Sequence, residues 1–292
     1  MKQRVYFDCD NTMGLPGCDM DDGMALLYLM GREDIRLEAV TTSFGNSTIE
    51  KVHANTEHMF QELHLEHIPL KRGAPSTEQR KSEASQYLAT EIPRRGERVK
   101  LLITGSPTNI YATCLENERM LYYIDEMVFM GGITEPLIIG GKVMNELNFS
   151  SDPEAIYYLL NCPIKKTVMT AQICLDAFFD QEKMGYVLNN QHYPAFAYMK
   201  AALQLWYHFI THRYGVSGFH VWDIVAATYI TTPELFDKHE ICISSTIKDL
   251  KKGLLTRDPF QTTNSVNLPK KIQNLDHFWH LVFDAWKNVT FS

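Results

Sequence analysis

RVYFDCDNTMGLPGCDMDDGMALLYLMG, residues 4–31, reads as a strand, an acidic loop and a helix. RVYFD (4–8) is a buried strand, and MDDGMALLYLMG (20–31) is a helix ended by Gly31. Between and beside them lie five aspartates, Asp8, Asp10, Asp19, Asp21 and Asp22. Carboxylates this close repel one another, so the crowding costs stability unless something positive lies among them. A metal ion, a substrate cation or a shared proton would each answer that cost.

The same strand-then-helix alternation continues outward. IRLEAVTTSFG (35–45) reads as the next strand, and STIEKVHANTEHMFQEL (47–63) as a helix with Ser47 as N-cap and Glu50 in the capping-box position. VKLLITG (99–105) with PTNIYATCLEN, EMVFMGG (126–132), SDPEAIYYLLN (151–161, started by Ser151 or Asp152) and KKTVMTA (165–171) keep the rhythm. This order predicts an α/β fold, with a mainly parallel central sheet flanked by helices. Ligands of such sheets bind beyond the carboxyl ends of the strands. Asp8, Asp10, Asn46, Thr104 and Met130 lie there, so separate strands deliver them to one crevice. The second half is more helical, with long helices predicted at 194–215, from 220 and at 274–286, and short strands in HEICISSTI, GLLTRD and NSVNL. No internal repeat, low-complexity tract or linker interrupts the chain, and residues 1–292 read as one domain.

Composition narrows the class. The chain has 292 residues, is 45% hydrophobic and carries a net charge of -7, which argues against nucleic acid as a partner. No apolar run approaches membrane-spanning length, and MKQRVYFD runs into a strand without a targeting segment, so a cytoplasmic location is expected. The six cysteines are scattered, with no CxxC pair, and read as reduced thiols. Cys9 and Cys18 flank the acidic cluster, but no His or Cys completes a zinc set nearby. An EF-hand does not fit either, since Met13 stands at the Gly position and Asp19 at that of the bidentate Glu.

DCDNT (8–12) supports two chemical readings. It resembles the opening motif of haloacid dehalogenase-type phosphatases, in which Asp8 would be the nucleophile, Asp10 the acid/base and magnesium the cofactor. Against that, Asp21 and Asp22 follow within one loop, and no later Lys-then-acidic-pair arrangement is present. The chain also resembles the inosine–uridine-preferring nucleoside hydrolase family, which opens with a strand, DxDPGxDD and a helix. Here the loop between DCD and DD is several residues longer. EAVTTSFGN (38–46), ITGSPTNI (103–110), VFMGGI (128–133), NELNFSSDPEA (145–155) and VWDIVAA (221–227) resemble the later motifs of that family, in the same order.

The second resemblance implies a Rossmann-like nucleoside hydrolase fold. It also implies hydrolysis of the N-glycosidic bond of ribonucleosides to free base and ribose, in nucleoside salvage. Cleavage passes through an oxocarbenium-like sugar, needing activated water on one face and help for the departing base on the other. Carboxylates around a hard cation suit it, and oxygen ligands favour calcium. By resemblance, Ca2+ would be held by Asp10, Asp22, Asp223 and the carbonyl of Thr104. Asp10 would be the general base toward a metal-bound water. Asp21 and Asn46 would hold the ribose hydroxyls, Glu146 and Asn148 the 5′-hydroxyl side, and Met130 would lie against the ribose. A homo-oligomer, dimer or tetramer, is the family habit.

Several residues carry plainer alternatives. Asp8 is read as a backbone cap, and Asp19 as serving the long loop or the helix start. Asp21 and Asp22 alone would be first-turn charges favoured by the helix dipole. Trp222 replaces the His of broad-specificity members and resembles the purine-preferring branch, where an indole stacks on the base. The second Trp of that branch has no counterpart at 64–98, which contain only Tyr87. A leaving-group acid is sought among His208, His212, Arg213, Tyr214 and His220, near glycines 215 and 218 that suggest a mobile lid. A nucleoside- or ribose-binding protein without catalysis stays open, because the long loop would shift the metal site.

Overall fold

The computed structural model describes residues 2–257 and 265–291. β1 (Gln3–Cys9), α1 (Asp21–Met30), β2 (Ile35–Thr42), α2 (Ile49–Glu62), β3 (Leu70–Arg72), α3 (Glu83–Arg95), β4 (Val99–Ile103), α4 (Thr108–Glu116) and β5 (Ile124–Met130) alternate through the first half. A hairpin of β6 (Leu137–Ile139) and β7 (Lys142–Met144) leads through the single turn α5 (Asn148–Ser151) and α6 (Pro153–Asn161) into β8 (Lys165–Met169). There follow α7 (Ala171–Cys174), β9 (Phe178–Asp180), α8 (Gln181–Asn189), α9 (Pro194–Tyr214), β10 (Gly218–His220) and α10 (Trp222–Thr231). Then come β11 (Glu240–Cys242), α11 (Ile247–Leu250), β12 (Ser265–Asn267) and α12 (Leu275–Asn288).

Eight strands form the central sheet in the order β11-β12-β8-β5-β4-β1-β2-β3. All neighbours run parallel except β11 and β12, which are antiparallel. Side chains alternate across it, as a period of two requires. Val5, Phe7 and Cys9 of β1, with Val128 and Met130 of β5, enter one apolar layer. Tyr6 of β1 and Met127 and Phe129 of β5 enter the other. Both faces are covered, as parallel sheets need. β1 and β4 lie side by side at the centre, so their carboxyl ends place Asp8, Asp10 and Thr104 next to one another.

The structure departs from the sequence reading at element ends. α2 begins after Thr48, not Ser47, and its N-cap makes no side-chain bond, so the capping box with Glu50 is not formed. A capping box does form at α3, between Ser82 and Ser85. Asp152 caps α6 by accepting from the Ala155 N–H. GLLTRD contributes isolated bridges, Leu254 to Ile133 and Arg257 to Ile243, rather than a strand. Asp258 of that stretch and Asn264 of NSVNL lie outside the described residues.

Candidate active site

Buried carboxylates divide into two kinds in this protein. Those away from the carboxyl ends of the central strands are paired. Glu38 meets Arg4 at 2.7 Å, Arg36 at 3.0 Å and Arg95 at 2.7 Å. Glu126 meets Lys165 at 3.1 Å and Lys100 at 3.7 Å, and Asp152 meets Arg80 at 3.0 Å. Asp8, Asp10, Asp21, Asp22 and Asp223 are also buried. Among the described residues none of these five has a Lys, Arg or His partner. Burial and mutual repulsion drive their carboxyls upward, Asp8 to about 7 and Asp10 to about 6, with Asp22 and Asp223 well above the ordinary range. Buried unpaired charge is costly, and a cation held among these carboxylates would offset that cost.

Each carboxylate is held from a different element. Asp10, just past β1, accepts from the Asn46 N–H at 2.5 Å and from Asn46 Nδ2 at 3.3 Å. Asp22, in the first turn of α1, accepts from Thr104 Oγ1 at 2.6 Å and faces Asp10. Asp21 takes the backbone N–H of Asp223 at 3.0 Å, joining the start of α1 to the start of α10 across 202 residues of sequence. Asp21, Asp22 and Asp223 each offer a carboxylate oxygen, and these lie within 4.8 Å of one another. An all-oxygen set of this kind fits a hard divalent cation. The tight trio thus contains Asp21, which the sequence reading assigned to ribose, while Asp10 stands beside it against Asp22. The Thr104 carbonyl accepts Asn148 Nδ2 at 2.7 Å, and its second lone pair leaves room for another partner.

A cavity opens beside this cluster. It is lined by Asp19, Asp21, Asn46, Thr104, Met130, Asn145, Glu146, Asn148, Trp222 and Asp223, with Leu137, Ile139, Met144, Leu147 and Ala171 as its apolar wall. The sequence-predicted residues therefore converge, apart from Asp10 and Asp22, which sit beneath. Glu146 is more structural than expected. Its carboxylate accepts the N–H groups of Gly132, Phe149 and Ser150 at 3.1, 2.8 and 2.9 Å. Asn148 donates to Met130 O at 3.0 Å as well as to Thr104 O. Trp222 opens α10 and is half-buried, with its ring 5.1 Å from that of His220.

Three residues were missed as site components. Asp19 and Asn145 both line the cavity. Asn109, within the quoted ITGSPTNI, donates to Asp8 Oδ1 at 2.8 Å and to Thr42 O at 2.9 Å. Only its position after β4 in the motif hinted at a role. Asp8 also accepts from Thr41 and is 2% exposed, so it has no open approach to a phosphate ester. None of His208, His212, Arg213, Tyr214 and His220 is among the lining residues. His208, His212 and Arg213 are exposed on the last turns of α9. Tyr87 lies on α3 beneath Lys71 Nζ, 5.4 Å from its ring centre, and is not part of the wall.

An α/β protein with an acidic crevice at the carboxyl ends of its parallel strands is the class that fold and site define. The family model for inosine-uridine preferring nucleoside hydrolases matches residues 5–280, and the chain belongs to that family of nucleoside N-ribohydrolases. Its relatives include a pyrimidine-specific ribonucleoside hydrolase RihA from Shewanella oneidensis, 25% identical over 89% of this chain and 87% of the relative. An inosine-uridine preferring nucleoside hydrolase from Crithidia fasciculata is 21% identical over 99% of each chain. Among solved structures, a plant nucleoside hydrolase superposes with a TM-score of 0.85 at 16% identity, covering 98% of this chain and 99% of that one. A purine-preferring ribonucleoside hydrolase from Gardnerella vaginalis gives 0.83 at 15% identity, covering 98% of each.

Proposed function

We propose that this chain, as one nucleoside hydrolase-like domain over residues 1–292, hydrolyses ribonucleosides with calcium held by Asp10, Asp22, Asp223 and the Thr104 carbonyl. The observation that carries the metal reading is the set of buried carboxylates without a cationic partner. Asp21, inside the trio, is close enough to share that role. When bound, the ion would supply positive charge that orients water and sugar hydroxyls.

The protein's own groups then divide the work. Asp10, oriented by Asn46, takes the proton of the attacking water. Asp21 and Asn46 receive ribose hydroxyls, Asn148 and Glu146 border the 5′ side, and Met130 lies against the sugar. Trp222 offers its indole face to the base, which supports a purine preference. The relatives bear both purine and pyrimidine names, so the base panel below decides this point. Salvage in the cytoplasm as a homo-oligomer is the setting we propose. No helix among the described residues is long and apolar enough to cross a membrane. Exposed Leu115 and Tyr122 offer apolar surface to a second copy, which sedimentation would reveal.

The test is ribose release from inosine, adenosine, guanosine, uridine and cytidine, with and without a chelator, beside a generic phosphate ester. Chelator-sensitive release of ribose is expected, fastest from purine nucleosides. Phosphate release without ribose would overturn the reading. Tight nucleoside binding without turnover would instead point to a binding protein.

A further inference from the structure

The β6–β7 hairpin gives the cavity an apolar wall. Its turn is Gly140 and Gly141, both at positive φ, as a two-residue turn between antiparallel strands requires. Leu137 pairs with Met144, and Ile138 with Val143. Side chains alternate along the strands, so Leu137, Ile139 and Met144 line the cavity while Ile138 and Val143 are exposed on the other face. The hairpin is seated on the end of α9, where a Cβ at Gly140 would lie 2.3 Å from the Tyr214 carbonyl oxygen. The chain then runs from Met144 to Leu147, which also lines the cavity and is 41% exposed. A large apolar side chain left open inside a pocket offers a place for an apolar group of the ligand.

The polar groups along the same stretch are engaged by the main chain. Glu146 Oε1 accepts the N–H groups of Gly132 and Phe149, and Oε2 accepts that of Ser150. Oε2 also faces Gly253, where a Cβ would lie 2.1 Å from it. The Asn148 amide donates to the carbonyls of Thr104 and Met130. Asn145 lines the cavity but is exposed, so a hydroxyl held there only exchanges one hydrogen bond with water for another.

A sugar hydroxyl turned toward this wall therefore gains little, whereas an alkyl or alkylthio group gains by leaving water. The chemistry at C1′ is unchanged by such a group. The C1′–N bond breaks, and water gives its hydroxyl to C1′ and a proton to the departing base. The products are the free base and a 5-substituted ribose.

Resting on the hydrolase reading above, which places Glu146 and Asn148 at the 5′ side of the sugar, we infer that this site prefers nucleosides whose 5′-hydroxyl is replaced by a small apolar group, as in 5′-deoxy-5′-methylthio nucleosides, and that Leu147 and Met144 of the apolar wall determine this specificity.

The experiment compares kcat/KM for 5′-deoxy-5′-methylthioadenosine against adenosine, and for 5′-deoxy-5′-methylthiouridine against uridine, in the wild type, Leu147→Asn and Leu147→Met. Each pair shares its base, so the ratio is independent of base preference. We expect ratios of about ten in favour of the methylthio nucleosides, the scale of discrimination that one apolar group supplies. They should fall to about one in Leu147→Asn, chiefly through KM, and persist in Leu147→Met. Wild-type ratios at or below one overturn the inference while the hydrolase reading stands, because a site built to bond a hydroxyl rejects the analogue lacking it. Ratios that Leu147→Asn leaves unchanged also overturn it, including the case in which the wall holds the base and both members of a pair lose equally. No turnover of any nucleoside overturns both readings. Product inhibition of the wild type supplies a readout without a base. There 5-methylthioribose should inhibit about tenfold more tightly than ribose, on the same scale, and equal inhibition overturns the inference. That comparison decides the matter if thermal melts show Leu147→Asn to be unfolded.

Discussion

Gly45 shows how closely single residues are fitted around Asp10. A Cβ at that position would lie 2.0 Å from Asp10 Oδ2, so any side chain there pushes the carboxylate away. We predict that Gly45→Ala lowers kcat/KM about a hundredfold, the usual consequence of moving a reacting group by about 1 Å. An unchanged kcat/KM would show that Asp10 is not at the reacting centre. Asp8 makes the opposite prediction. Its Oδ1 is committed to Thr41 and Asn109, and an asparagine retains that acceptor. Asp8→Asn should cost roughly tenfold in kcat/KM, within the range of lost positioning rather than lost nucleophile. Complete loss in a variant that still melts cooperatively would restore Asp8 to a chemical role. The carboxylates were legible as a group because residues 6–23 concentrate them. Their division of labour was not, since Asp21 meets Asp223 only through the fold.

At the scale of elements, α1 is the support on which the site depends. It is buried from Asp21 to Leu29, so both its acidic first turn and its apolar body are enclosed. Its end is pressed on α12. A Cβ at Gly31 would meet the Ala285 carbonyl at 1.8 Å, and Trp286 Nε1 donates to Met24 O at 3.1 Å. Gly31→Ala should therefore destabilise the protein by about 3 kcal/mol, the scale of overpacking a close contact. Denaturant midpoints would measure it, and a shift under about 0.5 kcal/mol would contradict the close approach. Gly31 was legible as a helix stop, but its reason lies in a helix more than two hundred residues later. The β6–β7 hairpin escaped the sequence reading because its strands are three residues each. It is tied to the end of α9 by Lys142, which donates to Arg213 O at 2.7 Å and lies 5.2 Å from the Tyr214 ring centre. Arg213 and Tyr214 thus support the cavity wall from outside.

At the scale of the whole molecule, the metal proposal predicts that stability is coupled to the ion through the buried carboxylates at one end of the sheet. Saturating calcium should raise Tm by about 5–10 °C, from roughly 2.7 kcal/mol of linkage at a hundredfold excess over Kd. Asp10→Asn removes one charge from the cluster. In chelator that variant should melt above the chelated wild type, while its ribose release falls at least about a thousandfold. A wild-type Tm indifferent to calcium and chelator would remove the metal from the proposal. The alternation of the main strands and helices and the parallel sheet they build were determined by the sequence alone, whereas β3, α3, α8 and the β6–β7 hairpin were not read from it. Apolar runs of strand length alternating with helical periodicity admit few other arrangements. The family motifs stood in order along the chain and were legible for the same reason. Only the tertiary structure decided which carboxylates gather into one trio, that Asp19 lines the cavity, and that the histidines near residue 210 do not. Those outcomes depend on distances between residues far apart in sequence, set by how α1, α9 and α10 pack, and local pattern carries no information about such distances.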